Sequence, residues 1–185
     1  MNESIRNYEN LLKVFAELRK YAIIKNNDIT GWADVVLASE ITSDYEFIEI
    51  STTQNTHDLI TVLEKNSENA DLKIVCRAIL GILYHLITDK LLEFKEVFRV
   101  AYEISYEEKL TDDEQFLLFG FAEFSMYDPK ATYAGFRLFK EDFLEFLSIY
   151  KEFKLDNYKD WIKINAHMQY DLTLRLESIR KNYPY

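Results

Sequence analysis

The sequence has few of the residues that interrupt helices or cross-link a chain. Its 185 residues include two prolines, four glycines and one cysteine, Cys76. Such a low proline and glycine content does not fit a turn-rich β fold. A single cysteine cannot form an internal disulfide, which is typical of a protein in a reducing compartment.

Long apolar runs are also missing. No apolar run reaches the roughly 18 residues that a membrane helix requires. The first residues are acidic from Glu3 and lack the apolar stretch of a secretory signal. We therefore predict a cytoplasmic protein that does not associate with membranes.

The residues that are present predict helices. Apolar residues make up 48% of the chain and charged residues 29%, as in an ordinary folded domain. Apolar side chains recur every three or four positions, which is the spacing of one helix face. One such stripe near the C-terminus predicts a long final helix and consists of Trp161, Ile164, Met168, Leu172, Leu176 and Ile179. We predict an all-α fold, a single-domain multi-helix bundle over residues 1–185 with about eight helices and little or no β structure.

Several helix boundaries can be placed from capping patterns. Thr111 with Glu114, and Ser43 with Glu46, match the reciprocal capping box. The segment 45–52, YEFIEIST, would suit a strand by composition, but its apolar residues do not alternate, so we expect a helix. The polar stretch 64–71 is one of two places where a domain boundary would fall, the other being the loop near Asp128.

Acidic residues are concentrated in two blocks. Residues 26–70 carry nine Asp or Glu and one Lys, and residues 103–128 carry eight Asp or Glu and one Lys. These two blocks hold charges of −8 and −7, whereas the other three stretches are weakly positive and the whole chain is −10. Solubility requires net charge but does not require it in patches. The blocks disfavour nucleic acid as a ligand and favour a basic protein partner.

The acidic blocks also contain residues suited to a protein interface. Trp and Tyr are favoured anchors at interfaces, and carboxylates steer a basic partner into place. The alternative is that the acids are the solvated faces of ordinary helices. The predicted partner-binding residues are Asp28, Trp32, Asp34, Glu40, Asp44, Tyr45, Glu46, Glu49, Glu107, Glu108, Asp112 and Asp113.

A heptad seam in the second half of the chain is built only from aromatic residues. Its members are Phe136, Phe139, Phe143, Phe146, Tyr150 and Phe153. Large apolar side chains are mostly inside a fold, so the seam predicts a bundle core. The alternative is a helical adaptor or homodimer in which the seam is the contact surface.

Evidence for catalytic chemistry is weak. His85 with Asp89, and His167 with Asp171, are spaced i to i+4, so two such helices could supply four metal ligands. The alternative is that these are surface ion pairs or core histidines, because none of the established metal motifs occurs. We predict no cofactor and no catalytic residue, with the metal-dependent helical enzyme as the less favoured alternative.

A family resemblance points the same way as the acidic blocks. A small, acidic, helical chain rich in Tyr and Phe resembles the immunity proteins of bacterial polymorphic-toxin and contact-dependent inhibition systems. The segment 29–50, ITGWADVVLASEITSDYEFIEI, is similar to N-terminal parts of families assigned that role. The resemblance implies a protein that binds and blocks one toxin domain and does no chemistry itself. We therefore expect a non-catalytic inhibitor of a basic partner, such as a toxin that acts on nucleic acid.

Overall fold

The structure, a computed structural model, describes residues 4–39, 44–105, 109–127 and 133–181. Within these residues there are ten α-helices, more than the predicted eight, with two short 3₁₀ helices and no strand, which confirms the predicted all-α class. The α-helices are α1 Glu9–Lys20, α2 Asn26–Ala38, α3 Tyr45–Thr52, α4 Thr56–Lys65, α5 Leu72–Thr88, α6 Phe94–Ser105, α7 Asp112–Tyr127, α8 Tyr133–Ser148, α9 Trp161–Met168 and α10 Leu172–Arg180. The 3₁₀ helices are Ile5–Tyr8 and Leu155–Asp160.

The chain forms two compact units rather than the predicted single domain. Unit 1 is Met1–Val75 and unit 2 is Cys76–Tyr185. The division falls inside α5, a few residues after the polar stretch 64–71, which was one of two candidate positions for a boundary that the sequence did not require. A helix that runs across the division needs no polar or flexible linker, and this is why composition alone did not reveal two units.

Unit 1 packs its first four α-helices around an apolar core. Helix α1 packs against α4, α2 against α3, and α3 against α4. The segment 45–52 is helical, as predicted, because Phe47 and Ile50 lie on one face and are fully buried. The start of α3 differs from the prediction. Its N-cap is Asp44, and Ser43 of the expected capping box lies outside the described residues.

Unit 2 has an aromatic core. The seam residues Phe139, Phe143, Phe146, Tyr150 and Phe153 are all buried, which confirms the core interpretation for these five positions. The side chain of Phe136 lies outside the description. Buried rings offer no surface to a second copy, so the seam does not support the homodimer or adaptor alternative.

The helices of unit 2 are shorter than the apolar spacing predicted. Helix α8 ends at Ser148, so the last two members of the seam lie beyond it. The predicted long final helix is also wrong, because residues 169–171 form a turn that separates α9 from α10. This break leaves Met168 and Leu172 both buried, so the apolar spacing continues although the helix does not. Among the described residues, no helix has the length and apolar character to cross a membrane.

Candidate functional site

The candidate binding surface lies on the helix pair α2–α3 of unit 1. The two helices are joined by a polar contact, because the Ser51 hydroxyl on α3 donates a hydrogen bond to the Asp34 carboxylate on α2. Asp28 stabilises the start of α2, since its carboxylate accepts the backbone N–H of Lys25 at 2.8 Å. Asp44 precedes α3, and its carboxylate accepts the backbone N–H of Ile5 at 2.8 Å. The acids of this segment therefore help to hold α2 and α3 in place as well as charging them.

The predicted acidic residues of the first block are at or near the surface. Asp28 and Asp34 are exposed on α2, and Glu46 and Glu49 are half-buried on α3. Glu40 lies outside the described residues. No Lys or Arg occurs between Lys25 and Lys65, so the segment has no cation of its own. Among the described residues, no cation forms an ion pair with Asp28, Asp34, Glu46 or Glu49.

Two of the acids on α1 and α4 of the same unit form ion pairs with lysines, in contrast to the described acids on α2 and α3. Lys13 and Lys20 lie 2.9 and 3.0 Å from Glu17, and Lys20 lies 2.6 Å from Glu64. The hydrogen bond from Lys20 holds the pKa of Glu64 below its ordinary value. Unit 1 thus neutralises Glu17 on α1 and Glu64 on α4, whereas four carboxylates of α2 and α3 have no cation among the described residues.

Exposed apolar side chains accompany these carboxylates. Val35 is 70% exposed, Tyr45 68% and Ile48 46%. Tyr45, Ile48 and Glu49 lie on one side of α3, because they are spaced by three and four residues. Isolated exposed apolar residues are ordinary, but three on one helix pair among unpaired carboxylates have the composition of an interface.

Trp32 was predicted to anchor a partner, but its ring lies against the core of unit 1. Its ring packs against Tyr8, Phe15 and Phe47 at centroid distances of 5.4, 5.3 and 5.9 Å, and the residue is half-buried. Most of its contacts therefore stabilise the core of unit 1. Its role in binding stays a prediction, and Tyr45 is the aromatic ring that the surface exposes.

The second acidic block contributes less free charge than its sequence predicted. It lies in unit 2, where Asp112 and Asp113 are exposed at the start of α7, and Glu107 and Glu108 lie outside the described residues. Asp113 is 3.6 Å from Arg180, which partly offsets its charge. Glu114, the third acid of this run, is fully buried. The idea that both blocks form one continuous field stays a prediction.

Glu114 belongs to a buried polar network that the sequence did not reveal. Its two oxygens accept hydrogen bonds from Arg77, each at 2.9 Å, and Oε1 also accepts the Tyr150 hydroxyl at 2.9 Å. Arg77 donates a further bond to Asn165 at 2.6 Å. The predicted capping box is confirmed as well, because Glu114 accepts the backbone N–H of Thr111 at 2.8 Å. One carboxylate thus both caps α7 and balances a buried guanidinium.

The electrostatics of this network are those of a structural element. Burial acts to raise the pKa of Glu114, but the bonds from Arg77 and Thr111 together outweigh it and hold that pKa below its ordinary value. Burial and the neighbouring Glu114 raise the pKa of Tyr150 well above its ordinary value, so its hydroxyl stays a neutral donor. Within the described part of the chain, no buried side-chain polar atom lacks a hydrogen-bond partner. A network that is both closed and satisfied stabilises a fold but has no group available for a substrate.

One histidine and one carboxylate of the metal alternative have other partners. His85 Nε2 lies 2.7 Å from the carbonyl oxygen of Lys151, and the Asp171 carboxylate accepts a hydrogen bond from Arg175 at 2.8 Å. Across the described ranges, no three His, Cys, Asp or Glu side chains come together as a metal site would require. Cys76 is buried. The His85–Asp89 and His167–Asp171 pairs therefore gain no support as ligands.

A scan against protein-family models found no match, and searches of curated proteins and of solved structures found none either. These comparisons therefore give no information on function.

Proposed function

We propose that the chain is a non-catalytic protein-binding module, an inhibitor of the immunity type that blocks a basic partner such as a toxin acting on nucleic acid. The observation that carries this proposal is the group of unpaired carboxylates beside exposed apolar side chains on α2 and α3. We call this group the acidic face, and it comprises Asp28, Asp34, Val35, Tyr45, Glu46, Ile48 and Glu49.

The unpaired state of the carboxylates is the first support. A charged group that a fold leaves without a counterion is free to form its ion pair with a partner. Surface carboxylates raise the association rate with a positively charged protein and fix its orientation, and they add less to affinity than to rate. The acidic face would thus act first as a steering surface.

The exposed apolar side chains are the second support. Tyr45 projects a ring at the start of α3, with Val35 on α2 and Ile48 one turn later on α3. Buried Tyr side chains are among the few residues that supply most of the binding free energy at protein interfaces, and neighbouring contacts exclude water from them. The acidic face combines such anchors with charge, so it is more than the solvated side of a helix.

The nature of the partner follows from the sign of these charges. A protein that binds nucleic acid presents Lys and Arg to a row of phosphates, and a row of carboxylates is a chemical substitute for that row. A partner of this kind would be blocked at its own binding cleft. The family resemblance of the segment 29–50 favours the same class of target.

A capture experiment with matched variants tests the proposal. The tagged chain, the double variant Glu46→Lys/Glu49→Lys and the single variants are used to retain proteins from the native cytosol, followed by elution with a salt gradient. Asp44 is left unchanged, because its carboxylate bonds to the backbone of Ile5. Glu68→Lys is the control, since it makes the same change of charge as either single reversal, at an exposed residue in the turn after α4.

The expected result is one basic protein retained by the wild type and by Glu68→Lys and lost from the double variant. With the purified pair, each single reversal on the acidic face is expected to slow association about threefold to tenfold at low salt and to flatten its dependence on salt. Co-expression should then suppress the activity of the captured protein. Equal retention by the double variant would remove the acidic face from the interface, and a partner without basic character would refute the proposal.

A further inference from the structure

A groove in unit 2 has a different chemistry from the acidic face. It lies between the turn that follows α8 and the helices α9 and α10, and has a cavity volume of about 560 Å³. This volume is in the range of sites for small organic molecules, roughly 300–1,000 Å³. None of the acidic-face residues lines it, so it is independent of the proposed function.

The floor of the groove is apolar. It is formed by Ile149, Ile164 and Met168. Ile149 and Met168 are only 5% and 7% exposed, so their positions are fixed by the packing of unit 2. An apolar floor that is held in place favours a ligand with a rigid or compact apolar part.

The rim of the groove is more cationic than the chain as a whole. Lys151, Lys163 and Arg175 line it together with His167, against the carboxylates Glu152 and Asp171. Asp171 is already neutralised, because its Oδ2 lies 2.8 Å from Nε and 2.7 Å from Nη2 of Arg175. The chain carries a net charge of −10, so a rim with more cations than carboxylates is a departure from its composition.

Two amino groups of the rim are available to a ligand. The Lys151 side chain forms no ion pair with any described residue, while its backbone carbonyl oxygen is held by His85 at 2.7 Å. Within the described part of the chain, Lys163 pairs with Asp160 alone, at 3.3 Å, and the lysine side chain is 84% exposed. Exposed pairs of this kind contribute little, so a better acceptor can replace Asp160. The His85 contact holds the backbone at Lys151, so the side chain of this lysine starts at the edge of the groove.

We propose that this groove binds a small organic anion, a carboxylate or a phosphate ester with an apolar body. The apolar part lies on Ile149, Ile164 and Met168, and the anionic group accepts hydrogen bonds from Lys151 and Lys163. Charge-assisted bonds to a carboxylate or phosphate are stronger than bonds between neutral groups, so the anionic group selects the ligand class and the floor supplies the burial.

Titration calorimetry and amide chemical-shift mapping with defined probes test the site. The probes are 1-naphthyl phosphate and octanoate, with 1-naphthol for the apolar part alone and inorganic phosphate for the charge alone. We expect 1-naphthyl phosphate to bind about tenfold more tightly than either 1-naphthol or inorganic phosphate. Of these three probes, only 1-naphthyl phosphate has both an apolar part for the floor and an anionic group for the rim lysines. The amide shifts should concentrate in residues 149–152 and 163–175.

Two double variants test whether the rim lysines bind the anionic group directly or whether only the total charge of the chain matters. Lys151→Gln/Lys163→Gln should weaken 1-naphthyl phosphate about tenfold and leave 1-naphthol unchanged. Lys154→Gln/Lys181→Gln removes the same charge from exposed lysines that do not line the groove, and should bind the probe as the wild type does. All four lysines are exposed, so thermal melts should show both variants folded.

Three outcomes would overturn the proposal. The first is equal affinity for 1-naphthol and 1-naphthyl phosphate, which would make the groove merely apolar. The second is an unchanged affinity in Lys151→Gln/Lys163→Gln, or an equal loss in the control. The third is no detectable binding of either 1-naphthyl phosphate or octanoate, which would mean that the groove does not take small organic anions.

Discussion

Replacing Arg77 by Met is expected to destabilise unit 2 strongly. The Arg77 and Glu114 side chains are 1% and 0% exposed, and two bonds of 2.9 Å join them. Removal of one partner leaves the other charge buried without compensation, which costs roughly 3–5 kcal/mol in buried pairs. Met has nearly the length of the aliphatic part of Arg, so the loss should come from charge and hydrogen bonding and not from a cavity.

A double-mutant cycle gives the coupling between the two charges. Glu114→Leu alone should cost about as much as Arg77→Met, since it leaves the guanidinium with only Asn165 as a described partner. The double variant removes both charges, so its cost should be smaller than the sum of the single costs by at least about 2 kcal/mol. The remaining cost should come from the Thr111 amide and Tyr150 hydroxyl, which lose their acceptor.

The assay should report unit 2 alone, because the chain has two compact units. Trp161 is buried in unit 2, whereas Trp32 lies in unit 1, so Trp32→Phe as a common background makes fluorescence report the unit of interest. Urea unfolding at neutral pH then gives the free energies. The matched control is Arg180→Met, which removes a half-exposed guanidinium 3.6 Å from Asp113 and should cost about 1 kcal/mol or less.

The reasoning would be refuted by a loss below about 1 kcal/mol for Arg77→Met, since a broken buried pair cannot be that mild. It would also fail if the double variant cost as much as the two single variants combined. Either result would mean that the two charges are solvated in the folded chain.

Two further predictions concern the same unit. The pKa of Glu114 is lower in the folded chain than its ordinary value, so its ionised form adds stability above about pH 4.3, and this stability is lost as the pH falls through the lowered pKa. Urea midpoints measured from neutral to acid pH should therefore fall less steeply in Glu114→Gln than in the wild type. Parallel curves for the two proteins would contradict this prediction. Gly81→Ala should destabilise by about 1–3 kcal/mol, because the new Cβ would meet the Tyr150 carbonyl oxygen and would lie 2.8 Å from the Phe153 Cβ. Gly120→Ala is the matched control on α7, with open space at its Cβ, and should stabilise by up to about 1 kcal/mol in thermal melts. A similar loss of stability in this control would mean that the loss in Gly81→Ala does not come from the steric clash.

The candidate site could be predicted only in part. The acidity of residues 26–70 and the exposed Tyr45 follow from the sequence. Composition does not show which carboxylates form ion pairs, because Glu64 pairs with Lys13 and Lys20, which are more than forty residues away in the sequence. Three-dimensional contacts therefore decide which acids remain available to a partner.

The sequence by itself determined the local structure. Apolar residues every three or four positions define helix faces, and this spacing was sufficient to predict an all-α chain and a buried aromatic seam. The helix over 45–52 and the capping box of Thr111 and Glu114 were likewise readable, because both depend on neighbours within one or two turns.

Only the tertiary structure decided how distant residues are used. Apolar spacing continues through a turn, so it did not show that α9 ends at Met168 or that the chain divides within α5. Glu114 was counted with the surface acids, but Arg77, 37 residues away, makes it a core residue. The physical reason is that helix formation depends on local spacing, whereas the burial and pairing of a charge depend on groups that the fold brings together from far along the chain.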